Sequence, residues 1–147
     1  MLHINTKSFN KLTTEELYNL LQLRSEVFVV EQDCVYQDID GKDQKAIHLL
    51  GYENEKLVAY TRIFKASYYF VEASIGRVVV AKNKREHKYG YDIMKASILA
   101  IQTNFDTKTI VISAQTYLKR FYNNLGFIEI GNEYLEDGIP HIKMRKS

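Results

Sequence analysis

The 147-residue chain has no tryptophan, one proline and one cysteine. A single thiol, Cys34, excludes an intrachain disulfide and fits a reducing compartment. With Pro140 alone and seven glycines there is no low-complexity linker, and no segment repeats another. No apolar run approaches the ~18 residues needed to span a bilayer, and the N-terminus carries no signal-peptide pattern. The expectation is a cytoplasmic protein with no membrane partner. The four histidines (His3, His48, His87 and His141) and the lone cysteine show no metal-ligand spacing, so no metal is expected. A net charge of +2 is too small to argue for nucleic acid.

What is present describes one globular domain over 1–147, with 46% hydrophobic and 26% charged residues. A chain of this size buries about 68–70% of its unfolded surface. Its charge is unevenly placed. Residues 31–43 hold five acids (Glu31, Asp33, Asp38, Asp40, Asp43) against one base, Lys42. Residues 82–88 reverse the balance with Lys82, Lys84, Arg85 and Lys88. One face is expected to favour cations and another anions, as suits an enzyme joining a basic substrate to a phosphorylated one.

The basic cluster sits in an informative place. Ile75 and Val78 to Val80 form a β-branched run that reads as a buried strand. After the cluster, Met94, Ile98, Ile101 and Phe105 recur at helical spacing. Strand, basic turn and helix start make an anion site, because first-turn N–H groups lack partners and carry the positive end of the dipole. The dipole adds only about 0.3–1 kcal/mol per exposed contact, so a phosphate would need the Lys and Arg side chains as well. Taken alone, a solvated turn is the plainer account of these charges.

The remaining elements follow from pattern. Residues 2–6 alternate as a short strand. Thr13 and Glu16 form a capping-box signature for a helix running to about Val30, with Leu17, Leu20, Leu21, Val27 and Phe28 toward a core. Arg24 falls on that apolar seam, so it either reaches a carboxylate or a wet cleft or snorkels to solvent. A polar, acidic connection over residues 33–45 follows, with a turn at Asp40-Gly41. Strands at 46–53 and 56–65 are joined by Asn54-Glu55, and residues 66–72 read as extended or irregular. After the helix at 88–104 come a buried strand at 108–114 and an amphipathic helix at 116–125 stopped by Gly126. A last hairpin pairs 127–131 with 139–146 around Glu136-Asp137-Gly138. The fold class is α/β, a mixed sheet with helices on its faces.

In this order the stretches resemble a GNAT-type N-acetyltransferase, and within that superfamily the ElaA-like proteins. The words that carry it are Leu23-Arg24, Val27-Phe28-Val29-Val30-Glu31-Gln32, Ile75-Gly76-Arg77-Val78-Val79-Val80 and Ser113-Ala114-Gln115. They continue through Phe121-Tyr122-Asn123-Asn124-Leu125-Gly126-Phe127 and Glu136-Asp137-Gly138-Ile139-Pro140-His141-Ile142. The resemblance implies a mostly antiparallel central sheet flanked by helices, with a CoA cleft between central strands and acetyl-CoA as cosubstrate. Backbone groups of Val78, Val79 and Val80 would pair with the pantetheine arm, and Gln115 stands where relatives carry an Asn that touches it. The pyrophosphate loop, Arg/Gln-x-x-Gly-x-Gly/Ala in the family, falls on Arg85, Glu86, His87, Lys88, Tyr89 and Gly90. Here the chain departs from the pattern: Lys88 replaces the first glycine, and Glu86 stands where glycine is common. Lys88 forfeits some conformational freedom yet adds a cation, whereas Glu86 repels phosphate unless it points away.

The resemblance makes Tyr122 the general acid for the leaving thiolate; on pattern alone it is a core tyrosine. For the acceptor the candidates are Arg24, Glu31, His48 and His141. Glu31 ends the first helix beside the acidic loop and is, more plainly, a solvated carboxylate. His48 lies in an apolar strand, where a satisfied core histidine is the commoner case. The base is left open between Glu31, His141 and ordered water. The expected acceptor is a primary amine on a small molecule or peptide, and the protein a monomer or homodimer. The alternative is an acyl-CoA-binding regulatory module with little or no turnover. Nucleic-acid binding by the basic patch lacks an aromatic platform beyond Tyr89 and Tyr91.

Overall fold

In the computed structural model, which describes residues 1–147, seven strands form one sheet in the order β1-β2-β3-β4-β5-β7-β6. They are β1 (His3–Ser8), β2 (Ile47–Glu53), β3 (Lys56–Phe64), β4 (Ala73–Val80), β5 (Ile110–Gln115), β6 (Ile128–Glu136) and β7 (Ile139–Lys146). Every neighbouring pair is antiparallel except β4 and β5, joined by the crossover helix α2 (Tyr89–Phe105). Two further helices, α1 (Thr14–Arg24) and α3 (Lys119–Asn123), complete the fold.

Alternation along the strands sends successive side chains to opposite faces, and so builds two cores. On one face Leu20, Leu23 and Val27 pack against Leu50, Tyr60 and Val79. On the other, Ile93, Met94 and Ile101 of α2 pack against Leu49, Ala59, Ile63 and Ile75, and the cluster extends to Ile112, Ile142 and Met144. Each fully buried aliphatic side chain contributes about 1.5–3 kcal/mol, which outweighs any helix or strand propensity in the same segments.

The capping box is present: the Glu16 N–H donates to Thr13 Oγ1 at 3.0 Å, and the Thr13 N–H donates to Glu16 Oε1 at 2.8 Å. The helix it starts does not stay α to Val30. Residues Ser25–Glu31 form a π-helical segment, a wider turn that recurs at functional sites. Val27, Val29 and Val30 are β-branched, which weakens the α preference there. The helix expected over 116–125 is a 3₁₀ turn (Thr116–Leu118) followed by the short α3, and Gly126 at φ +95° ends it. β6 runs longer than its apolar residues suggest, because it is an edge strand with almost every residue exposed. Asp137 and Gly138 both take positive φ, 52° and 78°, as a two-residue hairpin turn requires.

Two irregularities position the site. β4 and β5 pair only at Ala73 with Ile110 and Ser74 with Val111, and beyond these pairs the strands diverge. Opposite β3, β4 carries a bulge: Arg62 faces Gly76 and Tyr60 faces Val79, so β4 has one extra residue between the two pairs. Arg77 lies in that bulge at φ 51°, a left-handed conformation costing a non-glycine residue about 1–3 kcal/mol. Its guanidinium is anchored on Asp38, 2.8 Å from Oδ1 and 3.0 Å from the backbone oxygen.

Candidate active site

The divergence of β4 from β5 opens a cleft of about 470 Å³. Its wall along residues 75–80 is a strand bonded to β3 on one edge and without a strand partner on the other. Such an edge offers N–H and C=O groups to any extended ligand laid along it. Val78, Val79, Val80, Arg85, Lys88, Gly90 and Gln115 line the cleft. Glu86, His87 and Tyr89, the other residues expected to hold the cofactor, do not. Glu86 and His87 point to solvent, which removes the expected repulsion between Glu86 and an anion. Tyr89 is buried and donates its hydroxyl to Glu53 at 2.5 Å, where Lys84 also pairs at 2.5 Å. Lys84 and Tyr89 hold the Glu53 carboxyl down at about 2, and in doing so tie the basic turn to the β2–β3 hairpin.

Lys88 takes the conformation of the missing glycine, at φ 61° and ψ 27°. Its carbonyl accepts from the Tyr91 and Asp92 N–H groups, which leaves the Tyr89 and Gly90 N–H groups free at the start of α2. A Cβ at position 90 would lie 3.3 Å from the Phe121 ring, so glycine there lets the helix start sit close against α3. Lys88→Gly is expected to remove a left-handed cost of about 1–2 kcal/mol, partly offset by about 0.5–1 kcal/mol of added chain freedom. Thermal unfolding should register a net gain of roughly 0.5–1 kcal/mol. If this turn holds a phosphate-bearing ligand, calorimetry should show its affinity falling about 2–5-fold as an exposed cation is lost.

Arg85 holds the Glu31 carboxylate with both terminal nitrogens, at 2.5 and 2.8 Å, and also donates to the Val80 carbonyl at 3.2 Å. The Arg85 hydrogen bond keeps the Glu31 carboxyl below its ordinary range. Glu31 does not line the cleft.

The acidic loop corrects an expectation. Arg24, fully buried, pairs with Asp38 at 2.8 Å and Asp43 at 2.7 Å. Arg62 pairs with Asp40 at 2.6 Å and Asp43 at 2.9 Å, and Arg77 joins Asp38 and Asp40. Three acids of the loop therefore face three internal arginines and present little charge to an acceptor. A charge count along the sequence misses this because two of the arginines come from β3 and β4. His48 is also scaffold: its ring nitrogens lie 2.5 Å from the Tyr60 hydroxyl and 2.9 Å from the Asp43 carbonyl. Burial pushes its pKa down. Neither Arg24 nor His48 reaches the cleft.

Tyr122 does reach it. Edge-on contacts with Phe121 and Phe127, at 5.0 and 6.1 Å between ring centroids, fix its ring, and no hydrogen bond contributes to the state of its hydroxyl. Burial pushes its pKa well up, so the proton stays on the oxygen. Across the cleft, the Gln115 and Gln32 amides bond each other at 3.1 and 3.3 Å. His141 lines the cleft too, next to Ser113 and Glu136. Gln32, Ser113 and Glu136 lie within stretches that carry the family resemblance, but nothing in the sequence assigns any of them a role of its own. No group of three or more His, Cys, Asp or Glu side chains is arranged to hold a metal, and no helix is long and apolar enough to cross a membrane.

Residues 10–147 match the sequence pattern described as an acetyltransferase (GNAT) domain. Protein ElaA of Escherichia coli is 43% identical over 139 residues, covering 93% of this chain and 91% of that one. A UPF0039 protein of Schizosaccharomyces pombe is 43% identical over 141 residues, covering 95% and 93%. The crystal structure of E. coli ElaA superposes with a TM-score of 0.93 at 40% identity over 100% of both chains. That of an acyl-CoA N-acyltransferase from Pseudomonas aeruginosa does so with a TM-score of 0.94 at 38% identity, also over 100% of both.

Proposed function

Because the chain belongs to the GNAT acetyltransferase family, we propose that it transfers an acetyl group from acetyl-CoA to a primary amine by direct attack in a ternary complex. The observation that carries this reading is that the free edge of β4 and Tyr122 line one cleft. The pantetheine arm would continue the sheet along residues 75–80. A backbone N–H beside the bulge would polarise the thioester carbonyl, a donor set in place before charge develops. The pyrophosphate would meet the free Tyr89 and Gly90 N–H groups with the side chains of Lys88 and Arg85. To do so, Arg85 exchanges the Glu31 carboxylate for phosphate. Tyr122 would donate to the sulfur as the C–S bond breaks. The acceptor is a small molecule or an exposed peptide amine.

Calorimetry with acetyl-CoA, followed by thiol release with a panel of amines, tests this. Binding with release for any amine supports the transferase. Binding without release for all of them favours a regulatory module that senses acyl-CoA, and absence of binding overturns both.

A further inference from the structure

The cleft has a second polar end, built from the β6–β7 hairpin and β5. Ser113 and Gln115 on β5 lie opposite Lys143 and His141 on β7, and Tyr134 on β6 lies opposite His141. Alternation puts these side chains on the face that carries α1, whereas Ile112, Ala114, Ile142 and Met144 belong to the core under α2. There the Ser113 hydroxyl donates to Glu136 Oε1 at 3.0 Å and also bonds the Tyr134 hydroxyl. His141 is 7% exposed, stacks on the Tyr134 ring, and has Nδ1 2.7 Å from the Ile139 carbonyl oxygen. A carbonyl can only accept, so Nδ1 carries the hydrogen and a neutral His141 presents Nε2 as a lone pair. Nε2 lies 3.6 Å from Glu136 Oε2, too far for a hydrogen bond. Glu136, the neighbouring Asp137 and His141 all line the cleft. Arg77, which also lines it, is neutralised by Asp38 and Asp40.

We propose that Glu136 and His141 form the acceptor subsite: an aliphatic primary amine lacking an α-carboxylate binds there as its ammonium, held by Glu136 and deprotonated by His141 Nε2. The subsite rests on the transferase reading above. With Asp38, Asp40 and Asp43 paired internally, Glu136 and Asp137 are the carboxylates that line the cleft and can select a cation there. They also repel the carboxylate of a free amino acid. The ammonium gives one proton to Nε2, which passes it to solvent. The nitrogen then forms its bond to the acetyl carbon as the C–S bond breaks. The sulfur takes a proton from Tyr122, which recovers the second proton shed by nitrogen. The sum is R–NH₃⁺ plus acetyl-S-CoA giving the N-acetyl amine, HS-CoA and one proton.

The test uses the full chain with 1,4-diaminobutane and, separately, glycine as acceptors. Wild type should turn over the diamine in preference to glycine. Glu136→Gln should raise KM for the diamine about 10–100-fold, the loss of one hydrogen bond to a charged group, with kcat little changed. His141→Gln should lower kcat at least about 10²-fold. Both variants should bind acetyl-CoA as wild type does. A KM within about twofold of wild type in Glu136→Gln, or an unaltered kcat in His141→Gln, overturns the proposal. If wild type binds acetyl-CoA but acetylates nothing, the transferase reading fails, and the subsite is judged by NMR of the His141 ring. Signals shifted by diamine in wild type and unmoved in Glu136→Gln sustain the subsite; signals unmoved in both overturn it.

Discussion

With Tyr122 as the proposed general acid of amine acetylation, Tyr122→Phe is expected to lower kcat about 10²–10⁴-fold while the acetyl-CoA dissociation constant stays within about twofold. The thiolate of CoA leaves with a negative charge that a positioned O–H can neutralise as it forms. The Tyr122 hydroxyl is available for that task because Tyr122 lines the cleft and no hydrogen bond is among the influences on its proton. Phenylalanine keeps the ring and its contacts with Phe121 and Phe127, so the fold loses neither packing nor a hydrogen bond. The thermal midpoint of the variant should therefore match or exceed that of wild type. Burial raises the pKa of Tyr122, so the acid form persists past the ordinary tyrosine value of about 10. A pH–rate profile for wild type should accordingly show no alkaline loss from this group below about pH 10. A kcat that falls less than about tenfold would mean that solvent protonates the sulfur.

Asp43→Ala destabilises the protein by about 3–5 kcal/mol, a large share of the roughly 5–15 kcal/mol that holds a domain together. Asp43 accepts from both Arg24 and Arg62, so its removal leaves two buried guanidinium groups short of a partner at once. Urea unfolding should show the loss as a lower midpoint with an unchanged slope. The same network makes stability pH-dependent. Burial works against ionisation of Asp40 and Asp43, but Arg62 for the first, and Arg24 and Arg62 for the second, outweigh it and hold both carboxyls below the usual range. A carboxyl whose folded-state pKa is depressed adds stability that is fully present above its unfolded value of about 3.9. That stability is lost as pH falls through the lower, folded value. The thermal midpoint should be flat between about pH 7 and 5 and decline from about pH 4 downward. Asp43→Ala should lose part of that acid slope; an unchanged slope would place the acid lability elsewhere.

The sequence was legible where local chemistry acts alone. Thr13 and Glu16 cap a helix three residues apart, the β-branched run before Val80 is a strand in any context, and Gly126 ends a helix because it can take positive φ. Tyr122 reached the cleft through the order of words in the chain, since its apolar spacing would serve a core tyrosine equally well. What escaped was tertiary. The acids of residues 33–43 read as an open charged face because Arg62 and Arg77 reach them from distant strands. The π-segment Ser25–Glu31 buries Val27, which an α-helical reading also turns toward the core, so periodicity is blind to it. Lys88 looked like a defect in a phosphate loop, yet it adopts a left-handed backbone of the kind that favours glycine. Glu136 and Ser113 are unremarkable in sequence, and only the pairing of β5 with β7 brings them beside His141.

Two residue pairs are all that stitch β4 to β5. Mechanically the sheet is two plates, one from β1 to β4 and one from β5 to β7, meeting along an unfinished seam. Each plate comes from its own half of the chain, so the first can assemble while the second is still being made. A ligand bound as proposed along residues 75–80 would act as the absent strand and fasten one plate to the other. At a hundredfold excess over its dissociation constant it adds about 2.7 kcal/mol of stability. Amide exchange along residues 75–80 should slow on loading more than exchange in β2, which is already bonded on both edges. On the proposed binding mode, substrate would be a structural member of this sheet as well as its cargo, and the chain would be stiffest when at work.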